Sequence, residues 1–169
     1  MIAKRNDVLL RHAGQDDLVS LDEITIICYE PIQRSYTEIV GEAFSDTMIN
    51  GDWKARKMNQ VRNLFAKHPK NVWVLEKSDN IIGYISFFIN MDKKLGIIDN
   101  NGILPDYRGK SLGSFMYRQV LKHFKNQGLH FAMVETDLDE PHIPAQRAYE
   151  AVGFNRQHRI VNYIKDLTK

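Results

Sequence analysis

The segment at 102–117, GILPDYRGKSLGSFMY, holds residues whose types and spacing could do chemistry. A basic, glycine-containing turn stands between an apolar run typical of a strand and an amphipathic run typical of a helix. Free N–H groups at a helix start bind anions, because they carry a partial positive charge. The pattern therefore predicts a turn that holds phosphate.

A nucleotide triphosphatase would use a similar turn, since Gly109, Lys110 and Ser111 match the end of a Walker A loop. That loop also requires a glycine at the position of Leu104. Pro105 moreover lacks one of the N–H groups that would surround a phosphate. We therefore expect this turn to hold phosphate for another purpose.

Two segments resemble, in order, two motifs of the GNAT superfamily of acyl-CoA-dependent N-acetyltransferases. ILPDYRGKSLG resembles the coenzyme A pyrophosphate loop, (Q/R)-x-x-G-x-(G/A), with Arg108 and Gly113 at its ends. HIPAQRAYEAVGF resembles the later motif N-x-x-A-x-x-x-Y-x-x-x-G-F. Four positions of the second motif match in register: Ala145, Tyr149, Gly153 and Phe154.

The resemblance implies acetyl-CoA as cosubstrate, with two departures from the usual motifs. Ser111 replaces the first glycine of the loop, but it keeps a backbone N–H and is a favoured helix cap. His142 replaces the usual asparagine and can still form a hydrogen bond with a pantetheine amide.

The superfamily also has a bulged strand whose freed main-chain groups pair with the pantetheine arm. The resemblance places that strand at 95–103 and its irregular backbone at Asn101–Gly102. The implied coenzyme-binding residues are Ile103, Leu104, Arg108, Gly109, Lys110, Ser111, Leu112, Gly113, Ser114, His142 and Ala145.

Tyr149 occupies the position that the superfamily places near the coenzyme sulfur. A thiol has a pKa of about 8.5 and tyrosine one of about 10, so complete proton transfer is uphill by roughly 2 kcal/mol. We expect Tyr149 to donate a hydrogen bond to the leaving sulfur, and to act as a general acid only if its pKa is tuned. The attacking amine must also lose a proton. Asp99 and Glu135 are the candidate bases, and Glu135 is slightly favoured.

The predicted fold class is α/β (α+β), in a single domain over 1–169. The sheet is GNAT-like, mixed and mostly antiparallel, with splayed middle strands and flanking helices. The predicted strands are 7–13, 71–77, 81–90, 95–103, 129–136 and a final pair between 154 and 167. The first predicted helix begins at Asp16 or Asp17, and Pro31 interrupts or restarts it. An irregular stretch is predicted at 41–52. Three more helices are predicted after it: one that ends before Pro69, one at 111–126 and one at 144–151.

Composition and residue spacing argue against nucleic-acid binding, a membrane span and a metal site. A net charge of +2 over 169 residues gives no basic field of the kind that binds nucleic acid. The single cysteine, Cys28, fits a reducing compartment, and no apolar run reaches the length of a membrane span. The histidines and the lone cysteine show no metal-binding spacing. We expect a cytoplasmic monomer or homodimer without a metal.

The predicted reaction is direct transfer of an acetyl group from acetyl-CoA to a primary amine. A small-molecule amine is favoured as acceptor, between the helical segment 30–55 and the last hairpin. Two alternatives stay open: acetylation of a protein at its N-terminus or at a lysine, and a coenzyme-A-binding module without chemistry. The sequence does not distinguish acetyl from longer acyl groups.

Overall fold

A computed structural model describes residues 1–49 and 51–168 of the chain. Its strands form one six-stranded sheet in the order β1-β2-β3-β4-β5-β6. The strands are β1 (Ala3–Arg5), β2 (Val8–His12), β3 (Val72–Lys77), β4 (Asn80–Asn90), β5 (Leu95–Ile103) and β6 (Phe131–Val134). The helices are α1 (Leu18–Val40), α2 (Glu42–Ile49), α3 (Trp53–Lys67), α4 (Leu112–Asn126) and α5 (Ile143–Glu150).

The sheet is antiparallel except where β5 meets β6. These two strands run parallel and pair only from Leu95–Phe131 to Ile98–Val134. Beyond that rung β5 continues to Ile103 with no pairing to β6. The sheet therefore opens into a gap between β5 and the last strand, β6, whereas the predicted fold class has its splayed strands in the middle of the sheet.

The helices cover the two faces of the sheet with separate apolar clusters. On one face α4 and α5 pack on β2 to β5 through residues that include Phe87, Ile98 and Val120. On the other face α1 and α3 pack on β3 and β4 through residues that include Ile24, Val61 and Tyr84. Both α1 and α4 contact β5, so a helix lies beside this strand on each face of the sheet.

The first helix differs from its prediction in two respects. Pro31 lies inside a continuous α1 and does not interrupt it, since a helical proline costs one backbone hydrogen bond that packing on α3 and the sheet outweighs. Asp17 makes no side-chain capping bond to α1, because its carboxylate accepts from the Gly14 N–H at 2.7 Å, at the start of the 3₁₀ turn Gln15–Asp17, and from Arg11 at 2.6 and 2.9 Å.

The stretch predicted as irregular at 41–52 contains α2, so that prediction is wrong. Gly41 ends α1 with a φ of 86°, which reverses the chain and starts the next helix. Ser45 of α2 is buried and bonds to Gln33 at 3.2 Å and Thr37 at 2.8 Å of α1. These polar contacts stabilise a helix whose apolar periodicity is weak.

The two ends of the chain also depart from prediction. A short strand, β1, precedes the predicted first strand, and Asn6, with a φ of 52°, makes the turn between them. The final pair of strands predicted between 154 and 167 does not form, and 153–168 contains no strand. The apolar side chains of this segment, including Ile160 and Tyr163, are exposed, so no burial against the sheet stabilises a strand there.

Gly96 of β5 lies directly against the ring of Phe124 of α4. A Cβ at Gly96 would lie 2.3 Å from the Phe124 ring. We expect Gly96→Ala to lower the free energy of unfolding by about 1–3 kcal/mol, because the ring must leave its packed position. Thermal unfolding measures the loss. Gly14→Ala is the control, because its Cβ has ordinary contact distances. An unchanged melting temperature in Gly96→Ala would contradict this packing.

Candidate active site

Two carboxylates flank the point where the sheet opens. Ile98 and Val134 form the last paired rung of β5 and β6, so the residues that follow it are Asp99, within β5, and Glu135, directly after the end of β6. Neighbouring strands are roughly 5 Å apart at such a rung. The structure therefore brings the two candidate bases together, one on each side of the gap.

A β-bulge in β5 shapes this point of the gap. Ser86 of β4 faces two residues of β5, Asp99 and Asn100, because the register shifts between Phe87–Ile98 and Ile85–Asn101. The Ser86 hydroxyl fixes the bulge by accepting from the Asn100 N–H at 3.0 Å and donating to the Asn100 carbonyl at 3.1 Å. The bulge therefore changes the direction of the β5 backbone at Asp99.

The bulge therefore lies at Asp99–Asn100, and the prediction of irregular backbone at Asn101–Gly102 is wrong. Asn101 and Gly102 pair regularly with Ile85 and Tyr84 of β4. Gly102 has a different physical role, since a Cβ there would lie 2.9 Å from the sulfur of Cys28. It allows α1 to approach the sheet.

The two candidate bases have different surroundings. Asp99 is half-buried and accepts a hydrogen bond from the Asn100 amide at 2.5 Å. Burial raises the pKa of Asp99 above its ordinary value, although the charge of Lys57 and hydrogen bonds from Asn100 and Ser86 partly oppose the rise. Glu135 is exposed. Asp99 is thus the carboxylate whose basicity the protein increases.

Tyr149 of α5 lies on the α4 face of the sheet, in a network with Asn101 and Tyr117. The Asn101 side chain extends from β5, donating to the Tyr149 hydroxyl at 3.3 Å and accepting from the Tyr117 hydroxyl at 2.7 Å. The rings of Tyr117 and Tyr149 are 4.8 Å apart. One amide therefore orients both tyrosines, and the Tyr149 hydroxyl keeps its own proton for another acceptor.

The environment of Tyr149 does not make it a stronger acid. Burial raises its pKa above the ordinary tyrosine value, and hydrogen bonds with Asn101 and Tyr117 only partly offset the rise. Proton transfer to a thiolate is then more than roughly 2 kcal/mol uphill. The hydroxyl is suited to donate a hydrogen bond to a developing thiolate without giving up its proton.

The phosphate loop ends at an unusual helix cap. Ser111 has a left-handed backbone, with φ 56° and ψ 23°, and its side chain does not cap α4. The expectation that its hydroxyl would act as a cap is wrong, because caps normally need an extended backbone. The loop positions 108–111 are exposed, and Gly109 has a φ of 74°. The first-turn N–H groups, of Leu112, Gly113 and Ser114, therefore remain directed at the space where an anion would bind.

The basic side chains of the loop bond to its own backbone. Arg108 donates to the Ile103 carbonyl at 2.9 Å, and Lys110 donates to the Asp106 carbonyl at 2.9 Å. Arg5 of β1 donates to the Ser111 carbonyl at 2.8 Å and holds the loop from the other side. The loop shape is thus fixed by three cations, with the backbone N–H groups left for phosphate.

Alternation along β5 decides which main-chain groups face the gap. The Leu104 N–H donates to the Ile82 carbonyl of β4 at 3.0 Å and is therefore not free. In an antiparallel pair the groups of the adjacent residues point the other way, so those of Ile103 and Asn101 face the gap. The Ile103 carbonyl is engaged by Arg108, which leaves its N–H for a ligand in the gap.

His142 stands at the start of α5 and is held by a carboxylate. Its Nδ1 forms a hydrogen bond with Asp139, and the other Asp139 oxygen accepts from Ser35 of α1. Both side chains are 13% exposed. With Nδ1 fixed in this way, a neutral imidazole presents Nε2 as an acceptor. His142, Ala145 and Tyr149 recur at helical spacing and share one face of α5.

Asp137 lies beside this pair, and the three residues Asp137, Asp139 and His142 offer ligand atoms within 4.8 Å of one another. The sequence predicted no metal, and no metal chemistry is assigned to this group, because Asp139 already bonds to Ser35 and His142. We interpret Asp139 as the residue that positions His142.

A family comparison agrees with this geometry. The acetyltransferase (GNAT) family model matches residues 32–154, which include the gap, the phosphate loop and α5. The chain belongs to the GNAT family. The matched residues include the start of α4, whose first-turn N–H groups can bind an anion.

Relatives of this GNAT chain are named as different acetyltransferases. The mycothiol acetyltransferase of Thermomonospora curvata is 27% identical over 137 residues, which are 80% of this chain and 45% of the relative. The chain thus spans less than half the length of this relative. A Bacillus subtilis protein, named as a candidate alanine N-acetyltransferase of ribosomal protein bS18, is 31% identical over 93 residues, 55% of this chain and 59% of the relative. A Brucella melitensis GNAT acetyltransferase, solved in complex with acetyl-CoA, superposes with a TM-score of 0.60 at 17% identity, over 90% of this chain and 85% of that one.

Several residues of the GNAT site escaped the sequence analysis. Asn101 and Tyr117 orient Tyr149, and Tyr29 and Lys57 interact electrostatically with Asp99. One sequence feature pointed to the first of them, since the polar run DNNG is unusual inside a strand. Among residues 1–49 and 51–168, no helix has the length and apolar character of a membrane span.

Proposed function

We propose that this chain transfers the acetyl group of acetyl-CoA directly to a primary amine of a small molecule. The observation that carries the proposal is the gap between β5 and β6, with Asp99 at its opening and the Tyr149 hydroxyl bonded to Asn101 of β5. A base for the amine and a hydrogen-bond donor for the leaving sulfur are the two groups that direct transfer requires.

The coenzyme is held by main-chain groups in this proposal. The N–H groups at the start of α4 bind the pyrophosphate, and the Asn101 carbonyl and the Ile103 N–H pair with the pantetheine amides as an added strand does. His142 accepts from a pantetheine N–H through Nε2, replacing the asparagine of the usual motif. Acetyl-CoA supplies the activated acetyl group.

Asp99 acts as the base that removes the proton of the acceptor ammonium. An alkylamine is protonated in about 2,500-fold excess at pH 7, which costs roughly 4.6 kcal/mol. A carboxylate with a raised pKa reduces the free energy needed to deprotonate the ammonium, because it holds the proton more strongly than an ordinary carboxylate. The structure thus supports Asp99 over Glu135, which the sequence slightly favoured.

Direct transfer also agrees with the state of Cys28. Its thiol is buried, and burial raises its pKa although Arg108 partly opposes the rise. A thiol in that state is a poor nucleophile, because the thiolate is the reactive form. An acyl-cysteine intermediate at Cys28 is therefore disfavoured.

Acetylation of a protein α-amine is the second candidate function. The similarity to the Bacillus subtilis protein, named for an alanine of ribosomal protein bS18, favours it. The similarity to a mycothiol acetyltransferase covers more of this chain and favours a small molecule. The last hairpin, predicted as one border of the acceptor side, does not form, so the described helices α1 and α2 are the remaining predicted border in either case.

Binding of acetyl-CoA tests the proposed coenzyme site. A ligand at one hundred times its Kd stabilises a protein by about 2.7 kcal/mol, or roughly 5–10 °C for this size. We expect acetyl-CoA to raise the melting temperature by that amount, while ATP with magnesium leaves it unchanged. Stabilisation by ATP and not by acetyl-CoA would mean that this turn binds a nucleotide.

Two variants of Ser111 show whether the loop backbone binds the coenzyme. Ser111→Gly suits the left-handed backbone and should keep acetyl-CoA affinity within a few-fold. Ser111→Pro cannot adopt a φ of 56° and should abolish stabilisation by acetyl-CoA. The unliganded melting temperature of each variant reports its folding. A large loss of affinity in the glycine variant would mean that the hydroxyl is itself a required ligand.

A further inference from the structure

We propose that the acceptor carries a carboxylate close to its amine, and that Lys57 of α3 binds this carboxylate while Asp99 receives the amine. This inference rests on the proposed function, since it names the chemical class of the molecule that enters the same site. The acceptor class is then a small amino acid, as opposed to a polyamine or an amino sugar.

Tyr29 connects Lys57 to the gap. From α1, the Tyr29 hydroxyl reaches the bulged part of β5, 3.3 Å from Asn100 Oδ1 and 3.4 Å from the Asn101 N. The Lys57 ammonium lies 4.2 Å from the centre of the same ring. A fixed cation therefore stands one aromatic ring away from the opening of the gap.

Lys57 is held at this place and is not a freely solvated surface lysine. It is half-buried, and its ammonium donates to Gln60 at 3.1 Å. Burial lowers its pKa, and the charge of Asp99 opposes that effect. The interaction also affects Asp99: burial raises the pKa of Asp99, and the positive charge of Lys57 opposes that rise.

Asp99 and Lys57 influence each other without touching. In the described part of the chain they form no ion pair within 4.0 Å. Half-buried charges that do not pair have lost hydration without gaining a full partner. A ligand with an ammonium and a carboxylate complements both charges, the ammonium at Asp99 and the carboxylate at Lys57.

The same cation disfavours acceptors with several positive charges. A second ammonium of a polyamine would meet Lys57, and like charges at short range in a half-buried site repel strongly. A peptide N-terminus has an amide where an amino acid has its carboxylate, so it would leave Lys57 without an anionic partner. The arrangement therefore selects for a free carboxylate.

Matched amine pairs test this selection. Each of the common L-α-amino acids and β-alanine is assayed beside its primary amide, with acetyl-CoA and detection of thiol release. We expect the best carboxylate to exceed its amide in kcat/KM by about 10- to 100-fold, the usual value of a hydrogen bond between charged groups. Equal rates, or faster acetylation of the amides, would overturn the inference.

Variants at Lys57 assign the preference to this residue. Lys57→Met keeps the apolar length of the side chain and should bring the ratio of kcat/KM for the carboxylate to kcat/KM for its amide down to about one, mainly by raising KM for the carboxylate. Lys57→Arg should restore most of the preference. Lys54→Met is the control, since Lys54 lies on the same helix, 5.7 Å from the Trp53 ring and 3.9 Å from Glu30. An equal loss for carboxylate and amide in Lys57→Met would mean that Lys57 only supports Tyr29.

The remaining outcomes separate this inference from the proposed function. Acetylation of amides or simple amines without a carboxylate preference would reject the inference and keep the acetyltransferase. Stabilisation by acetyl-CoA, with no amino acid of the panel acetylated, would also reject the inference. Absence of any stabilisation by acetyl-CoA would reject the proposed function itself.

Discussion

Asp99→Asn is expected to lower kcat/KM for an amine acceptor at pH 7 by about 10²–10⁴, the usual contribution of a positioned base. Asparagine has nearly the same shape, so the bulge held by Ser86 should persist. What disappears is the group that accepts the proton of the ammonium. Affinity for acetyl-CoA should stay within a few-fold, because the phosphate loop is untouched.

The matched variant is Glu135→Gln on the other strand. We expect it to lose less than about ten-fold, since Glu135 is exposed and Asp99 is half-buried. The pH profile adds a second measurement. A base works when ionised, so kcat/KM should rise with pH through the pKa of Asp99, which burial places above that of an ordinary carboxylate. A larger loss in Glu135→Gln, with an intact acid limb in Asp99→Asn, would assign the base to Glu135.

The sequence predicted local elements well wherever one segment carried its own pattern. The strands β3 to β5 and the helix α4 lie where the apolar pattern predicted them, because β3 and β4 are continuous apolar runs buried on both faces, while β5 and α4 each bury one regular face. The family resemblance was confirmed by the match over residues 32–154. It also predicted splayed strands, which no local pattern shows.

Features that depend on pairing could not be predicted in the same way. The bulge lies at Asp99–Asn100 because Ser86, on another strand, bonds to the backbone there. Pro31 does not break α1, because tertiary packing of a long helix outweighs one lost hydrogen bond. The strands predicted after 153 are absent because a pattern of apolar residues requires a paired strand as well.

The candidate site shows the same division. Tyr149 and the phosphate loop follow from two motifs, whereas the orientation of Tyr149 depends on Asn101 and Tyr117. Lys57 approaches Asp99 only because α3 folds against α1, and a single charge on an amphipathic helix looks like any solvated lysine in the sequence. Long-range geometry therefore decides which ordinary residues take part in function.

Tyr149→Phe is expected to lower kcat by about 10²–10³ with unchanged acetyl-CoA affinity. The substitution removes one hydroxyl and almost no volume, so the packing against Tyr117 and Phe154 remains. The expected loss is that of one hydrogen-bond donor to a developing charge. Transfer of the proton itself is disfavoured by the raised pKa of Tyr149. Single-turnover rates and acetyl-CoA titrations separate the two quantities.

Tyr117→Phe provides the matched control on the same network. It removes the donor to Asn101 at 2.7 Å but leaves the Tyr149 hydroxyl in place, so kcat should fall only a few-fold. An acyl donor whose leaving thiol is more acidic than coenzyme A should reduce the defect of Tyr149→Phe, because such a thiolate needs less stabilisation. A wild-type rate for Tyr149→Phe with acetyl-CoA would exclude chemistry at this residue and leave water to stabilise the thiolate.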